Sequence, residues 1–542
     1  MNDTDQGSSM HRLCATPLGV LALAGVFSGL GLILFGPALQ GGFVADDVGY
    51  VLNNPYVQTA DWRHLLAALD PLGDAAYYVA NYAPVHQLVT MVEWQLFGDE
   101  TWGYHLVNVL LHGICSALLV AWFFRTGLSG PAACALGFVF FAHTANVETV
   151  AWIFQTKTLL CLALGTGSLL AFERRPLLAT ALFALALLAK IAALLAWPVL
   201  AAWLWVRGPD ALSRGRVWIL AWAVVAILCA IPEFLIFADT GHAALLDRYS
   251  GPFEQGRSML GLAARYLVMA ATTLGVAFSH EPPVAGLADP WWWAGLLACL
   301  ALAWRMTTTL ARREIEGVHW LWAAAAYAPA SQVFTFLFPM GDRYLYTVLP
   351  GLLAGSALAL HGATGSLRFG RIRPWLGPLL AAGLALLFAS HSYQRAPLWR
   401  NEMLLMVDSA RKYPDGRSAA FLGARSLTRE GDLDGAYERL EKLANRGFDA
   451  YQILQDPVLQ PLRGHPGYEA LHRRLVQNWL DHGEGRRAGQ SDWMARAAAY
   501  LAIGDLASAE NALGAAIEVG GPWQESAEAQ LRQVQAARSK GS

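Results

Sequence analysis

The feature that most constrains this chain is the recurrence of long apolar runs that are nearly free of charge. The first covers Pro17 to Leu39, and no charged residue lies between Arg12 and Asp46. A helix needs roughly 20 apolar residues to cross a bilayer. This run is too long for a secretory h-region and lacks a small-x-small cleavage site, so it reads as an uncleaved anchor. Further apolar stretches run over 104–124, 131–143, 148–172, 176–206, 217–238, 258–279, 291–306, 318–338, 343–361 and 374–391. Charged residues make up 15% of the chain, against about 25% in ordinary soluble proteins, which excludes a purely water-soluble protein. Of the 80 charged residues, 38 lie after Ser392. Residues 1–392 therefore read as a membrane domain and 393–542 as a soluble one. The net charge of −2 gives no reason to invoke nucleic acid as a partner. The six cysteines are scattered, which supports neither a disulfide framework nor a thiolate metal site.

Loop charges orient the spans. Arg125, Glu173-Arg174-Arg175, Arg207 to Arg216, Arg305 to Arg313 and Arg368-Arg371-Arg373 form basic loops, whereas the large loop 41–103 is acidic. Basic loops inside place the N-terminus inside and both the 41–103 loop and the tail outside. Two parities satisfy this pattern. Either 176–206 is a hairpin turning near Lys190 and 258–279 does not cross, or 176–206 is one tilted span and 258–279 crosses. The positive-inside rule favours the hairpin, and each solution gives about 11 crossings.

The tail has a different periodicity. Gly431-Asp432-Leu433-Asp434-Gly435-Ala436 and Gly504-Asp505-Leu506-Ala507-Ser508-Ala509 share a Gly-Asp-Leu-x-x-Ala signature. The copies lie 73 residues apart, close to two 34-residue tetratricopeptide periods. A plain helical hairpin domain is the alternative. Either is all-α, and stacked repeats present a concave surface to peptides or proteins.

Polar residues that could carry chemistry converge on the predicted outer face. Asp46-Asp47 follows the first span, and Asn81-Tyr82-Ala83-Pro84 lies in the same outer loop. His105, Asn108 and His112 occupy one helix face at the start of the second span. His143, Asn146, Glu148 and Trp152 mark the outer end of the third, and Gly341-Asp342-Arg343-Tyr344-Leu345-Tyr346 the outer end of a late span. Lys190 and Glu233 also fall near outer ends in the hairpin topology. Taken singly, each has a plainer reading: a solvated Asp pair, or a polar stripe packing by interhelical hydrogen bonds. Their shared face raises the odds of a site.

This ordered set resembles the transmembrane and tetratricopeptide-repeat O-mannosyltransferases and their bacterial relatives, within the GT-C glycosyltransferase superfamily. The carrying motifs are Asp-Asp after the first span, Tyr-x-Pro, His-Leu-Val-Asn-x-Leu-Leu-His, His-x-x-x-x-Glu-x-Val-Ala-Trp-Ile, Arg-Tyr-Leu-Tyr and the repeat tail. The resemblance implies an all-α polytopic bundle that passes one sugar from a polyprenyl-phosphate donor to an acceptor hydroxyl on the non-cytoplasmic face, with inversion. The acceptor is a protein Ser/Thr or a glycan held by the repeat domain. By motif position Asp46 is the first choice of base and Asp47 the second. Arg343 and Lys190 are candidates for the lipid phosphate. Tyr82, His105, Asn108, His143, Glu148, Asp342 and Tyr344 are supporting residues, with Asp342 expected to orient Arg343 through an ion pair. Tyr344 and Tyr346 read as interfacial anchors, as does Trp291-Trp292-Trp293. Asp46, Asp47 and Glu148 could hold Mg²⁺ or Mn²⁺, although some relatives work without a metal.

Several positions depart from the family pattern. Ala83 stands where an Arg is usual, Asn146 where a second His is usual, and Thr156 and Thr158 where an Arg and an Asp are usual. Ile191 replaces an acidic residue, and Asp342 replaces a Glu. The Ala, Leu, Gly and Arg bias points to a GC-rich bacterium, hence an inner membrane with a periplasmic site and tail. Two rivals remain. One is a transporter of lipid-linked substrates, although no internal repeat of spans is visible. The other is a non-catalytic scaffold for surface-glycan assembly.

Overall fold

The computed structural model describes residues 12–239, 249–333, 338–366, 376–445, 451–483 and 488–541. The basic loop Arg368-Arg371-Arg373 and part of the 318–338 stretch lie outside them. All regular structure among the described residues is helical. The chain divides into two compact units, one comprising 1–60, 83–233 and 247–404, the other 61–82, 234–246 and 405–542.

The first unit carries α1 (Pro17–Leu34), α2 (Pro84–Phe97), α3 (Thr101–Arg125), α4 (Gly130–Ala142), α5 (Asn146–Ala151), α6 (Thr156–Ala171), α7 (Pro176–Ala189) and α8 (Ala196–Val206). These are followed by α9 (Pro209–Asp239), α10 (Pro252–Ala271), α11 (Pro290–Ala311), α12 (Glu316–Tyr327), α13 (Asp342–Ser366) and α14 (Leu376–Arg395). Among the described residues six helical stretches are long and apolar enough to cross a membrane: Pro17–Leu34, Thr101–Arg125, Ile153–Ala171, Pro209–Ala238, Pro290–Ala311 and Asp342–His361. The protein is therefore multi-pass. Several runs that the sequence offered as single spans are broken or shortened. The 148–172 run splits into α5 and α6 at a turn over 152–155. In the described part of the 318–338 run, the α-helix ends at Tyr327 and a short turn follows over Ala328–Ser331.

The 176–206 run breaks at Lys190, whose backbone is extended (φ −164°, ψ 130°). Glu173 before α7 pairs with both Arg125, which ends α3, and Arg207, which follows α8. Both ends of 176–206 thus meet at one ion-paired end, as the hairpin reading expects. The same end collects Thr126, whose hydroxyl lies 2.9 Å from His319 Nε2, and Trp205, which donates to the Leu310 carbonyl.

Small residues bring the helices together. A Cβ added at Gly113 on α3 would come within 2.8 Å of the Ser28 backbone nitrogen on α1, so only glycine allows this approach. Gly113→Val is expected to separate α1 from α3 and to lower stability by about 1–3 kcal/mol. Thermal unfolding of the full chain in detergent measures this, and an unchanged midpoint would refute the packing argument.

Among the described residues of the second unit, two helical hairpins carry the repeated signature, Arg417–Glu430 with Leu433–Asn445 and Gln490–Ala502 with Leu506–Val519, and Gln524–Gly541 packs on the last of these helices. They turn identically. Gly431 and Gly504 both adopt the left-handed conformation (φ 85° and 76°) that glycine tolerates best. Asp432 then accepts from Gly435 N–H at 2.9 Å, and Asp505 from Ser508 N–H at 3.0 Å. Ala436 and Ala509 are fully buried, which lets the paired helices close. The intervening 451–483 stretch does not repeat this pattern: it begins with short tight turns and ends in Tyr468–Gly483. The loop segment 61–82 belongs to this unit, with the Tyr78 and Trp523 rings 5.4 Å apart.

Candidate functional site

The site is built where three chain breaks meet, at the end of the first unit opposite the Arg125–Glu173–Arg207 cluster. The first break follows α1. Ala45 sits at φ 49°, a conformation that costs a residue with a Cβ about 1–3 kcal/mol. The turn is closed by Asp47 N–H on the Val44 carbonyl (3.0 Å) and by Val44 N–H on Asp47 Oδ2 (3.2 Å). The second break is the turn between α5 and α6, where Phe154 N–H donates to Asp47 Oδ1 at 2.8 Å. Asp47 is completely buried, with both oxygens committed to backbone donors. Asp46, its neighbour, makes no hydrogen bond or ion pair with a described residue and keeps its side chain accessible.

The third break precedes α13. Arg343 N–H donates to Glu148 Oε2 at 2.7 Å, and its Nη1 to Glu148 Oε1 at 2.6 Å. The guanidinium stands 5.2 Å from the centroid of Trp152, which in turn stacks on Trp399 at 5.7 Å. Arg343 and Lys157 both lie close enough for their charges to lower the Asp46 carboxyl. Partial desolvation in this recess outweighs them and holds it above the ordinary carboxylate range. Burial also pushes the Asp47 carboxyl well up, against the two N–H donors that favour its charged form. Lys190 Nζ donates to Thr158 Oγ1 at 2.8 Å, and the charges of Arg343, Glu148 and Glu233 reach it.

With this geometry in place, the likeness to known proteins has a defined setting. The chain is distantly similar to protein O-mannosyl-transferases. It is 28% identical to human "Protein O-mannosyl-transferase TMTC1" over 176 residues, 31% of this chain and 20% of the relative. The mouse protein of the same description gives 28% over 173 residues, 31% of this chain and 18% of the relative. The chain thus spans about a fifth of the length of these curated relatives. No family model matches the chain and no solved structure matches it.

The remaining candidates divide between frame and pocket. Asn108 Nδ2 donates to the Trp152 carbonyl (3.0 Å) and its Oδ1 accepts from Thr156 (2.6 Å), which pins the α5–α6 turn. His112 bridges Tyr346 and the Phe141 carbonyl at 2.8 and 3.0 Å. His143 Nδ1 accepts from Ala145 N–H, and its Nε2 lies 3.2 Å from the Ala270 carbonyl. His105 is buried beside the Gly41 and Ala151 carbonyls. Asn108, His112 and His143 hold the walls, whereas neither ring nitrogen of His105 has a hydrogen-bond partner among the described residues. Tyr82 belongs to the second unit, where its hydroxyl donates to the Leu69 carbonyl.

Two expectations are corrected. Asp342 does not pair with Arg343: its Oδ1 lies 2.7 Å from His280 Nε2 and accepts from Ala277 N–H at 3.1 Å, while Glu148 holds the arginine. Tyr346 is fully buried against His112 and is no interfacial anchor. Tyr344 instead lies against Arg343, whose Nη2 is 3.3 Å from the tyrosine hydroxyl.

The acids do not fit a divalent cation. Asp47 is fully buried against two backbone donors and Glu148 already neutralises Arg343, so a dication beside Asp46 would compete with a guanidinium for one acid and pull the other from the turn it closes. Among the described residues no group of three or more His, Cys, Asp or Glu has metal-binding proximity. Sequence reasoning missed Lys157, His280 and His86, whose ring stands 5.2 Å from Phe154. Lys157 did leave a signal: after Glu148 it is the one charged residue in the 148–172 run, and an ionisable residue in such a run is a functional candidate by default.

Proposed function

We propose that this chain is an integral-membrane glycosyltransferase of the GT-C type. In this reading it transfers one sugar from a polyprenyl-phosphate donor to an acceptor hydroxyl on the non-cytoplasmic face. The observation that carries the reading is the placing of one uncommitted, accessible carboxylate, Asp46, within electrostatic reach of Arg343, in a recess where Asp47 and Glu148 already have partners.

The acceptor hydroxyl gives its proton to Asp46 while its oxygen attacks the anomeric carbon. The bond from that carbon to the phosphate oxygen breaks, polyprenyl phosphate departs, and single displacement inverts the centre. Arg343 keeps guanidinium donors beyond those given to Glu148, and with Lys190 it stabilises the charge gathering on the leaving phosphate. An apolar cleft of about 240 Å³ supports the lipid part of the reading. Tyr266, Leu267, Cys299, Met306, Tyr327 and Leu352 are among its walls. The Tyr266 hydroxyl accepts from Gly341 N–H at 3.0 Å, two residues before Arg343. The short apolar helices α4, α7 and α8 would add crossings toward about 11. The paired hairpins of the second unit, read as tetratricopeptide-like, would hold a protein or glycan acceptor.

The test is donor turnover by the full chain in liposomes with undecaprenyl-phosphate mannose, the sugar suggested by the names of the similar proteins. Because Asp46 works as a base only when ionised, and its recess raises its carboxyl, the rate should fall as pH drops through a midpoint above the ordinary value of about 4. Turnover no faster than in protein-free liposomes at every pH would refute the reading.

A further inference from the structure

One buried cation takes no part in this scheme. Lys157 lies on the first turn of α6, and its residue is only 7% exposed. Its ammonium makes no hydrogen bond or ion pair with any described residue. Its contact is the face of Phe154, with Nζ 3.8 Å from the ring centroid. An ammonium carries three N–H donors, and here none of them meets an acceptor among the described residues, the ring face being its described contact. The charged groups that reach it are Lys190, Asp46, Glu233 and Arg343. Two of these are like charges, and neither of the two carboxylates, Asp46 and Glu233, forms an ion pair with the ammonium.

The surroundings specify what is missing. Asp47 is fully buried closing its turn and Glu148 answers the Arg343 guanidinium, so a divalent cation beside Asp46 would have to draw on acids already in use. Phe154 serves both sides of the pocket: its N–H fixes Asp47 and its ring carries Lys157. We infer that Lys157, in place of a divalent cation, supplies the positive charge opposite Asp46, and that its free donors are filled by the phosphate of the donor. The inference rests on the glycosyltransferase reading and names the part of the site that would make it metal-free.

The full chain in nanodiscs is titrated with farnesyl phosphate, and separately with inorganic phosphate, in EDTA and in Mn²⁺. Farnesyl phosphate should bind equally well in both media. Inorganic phosphate, which lacks the lipid, should bind more weakly. Lys157→Met, which keeps the stem and removes the charge, should weaken farnesyl phosphate binding about tenfold or more, the effect of one lost charge-assisted contact. It should leave the melting temperature equal or higher, since an uncompensated buried charge is gone. Lys157→Arg should retain binding. Binding that requires Mn²⁺, a bound Mn²⁺ signal in electron paramagnetic resonance that disappears in Asp46→Asn, or unchanged affinity in Lys157→Met would each overturn the inference while leaving sugar transfer intact. Absence of farnesyl phosphate binding in every form would overturn the inference and the donor reading together.

Discussion

Asp46→Asn should lower sugar transfer by about 10²–10⁴-fold, the usual contribution of a positioned general base, with no loss of folded protein. The substitution is nearly isosteric, and the carboxamide cannot accept the hydroxyl proton. Asp46 contributes nothing to the framework among the described residues, since it has no hydrogen-bond or ion-pair partner there. Asp47→Asn should behave differently although the residues are adjacent. An amide nitrogen placed on one side of that carboxylate would face the N–H of Phe154 or Val44, so a buried donor loses its acceptor at a cost of about 1–3 kcal/mol. Transfer rate and thermal midpoint, measured on both variants, separate the two roles. A fully active Asp46→Asn, or an Asp47→Asn as stable as wild type, would contradict the assignment.

The Arg343–Glu148 pair gives the second large effect. The Glu148 side chain is 1% exposed and that of Arg343 12%. Removing one partner of a buried pair leaves the other charge unanswered, at about 3–5 kcal/mol. Arg343→Ala should therefore lose both stability and donor turnover. The double substitution Arg343→Met with Glu148→Met removes both charges at once and should recover most of the stability, because well-packed apolar replacements of buried pairs are often neutral. It should not recover turnover, since no guanidinium is left to meet the phosphate. Activity that returns with stability would show that the pair only holds α5 against α13.

Much of this architecture was legible in the sequence, and the illegible parts have physical reasons. Apolar run length announced the membrane helices. The repeated Gly-Asp-Leu signature announced the two matching turns, because a left-handed glycine followed by a capping Asp leaves a local imprint. The hairpin over 176–206 followed from charge alone, and the Arg207–Glu173 contact brings its ends together. What local pattern cannot encode is partner choice across long separations. Asp342 and Arg343 are neighbours in sequence, yet successive residues at a helix start point to different walls. One therefore meets His280 and the other Glu148, 195 residues away. The break over 152–155 was hidden for a related reason. Its residues are apolar enough to read as span, and the hydrogen bonds that stabilise the interrupted backbone come from Asn108 and Asp47, in distant segments.

The left-handed alanine at position 45 gives the acidic dipeptide its asymmetry: one carboxylate locks the scaffold while the next stays vacant for chemistry. Identity at these two positions is chemically redundant, but phase is not. Deleting Val44 or Ala45, or inserting one residue beside them, would keep both aspartates and still rotate the wrong one into the recess. The length of that turn is therefore as much a part of the pocket as the side chains it presents.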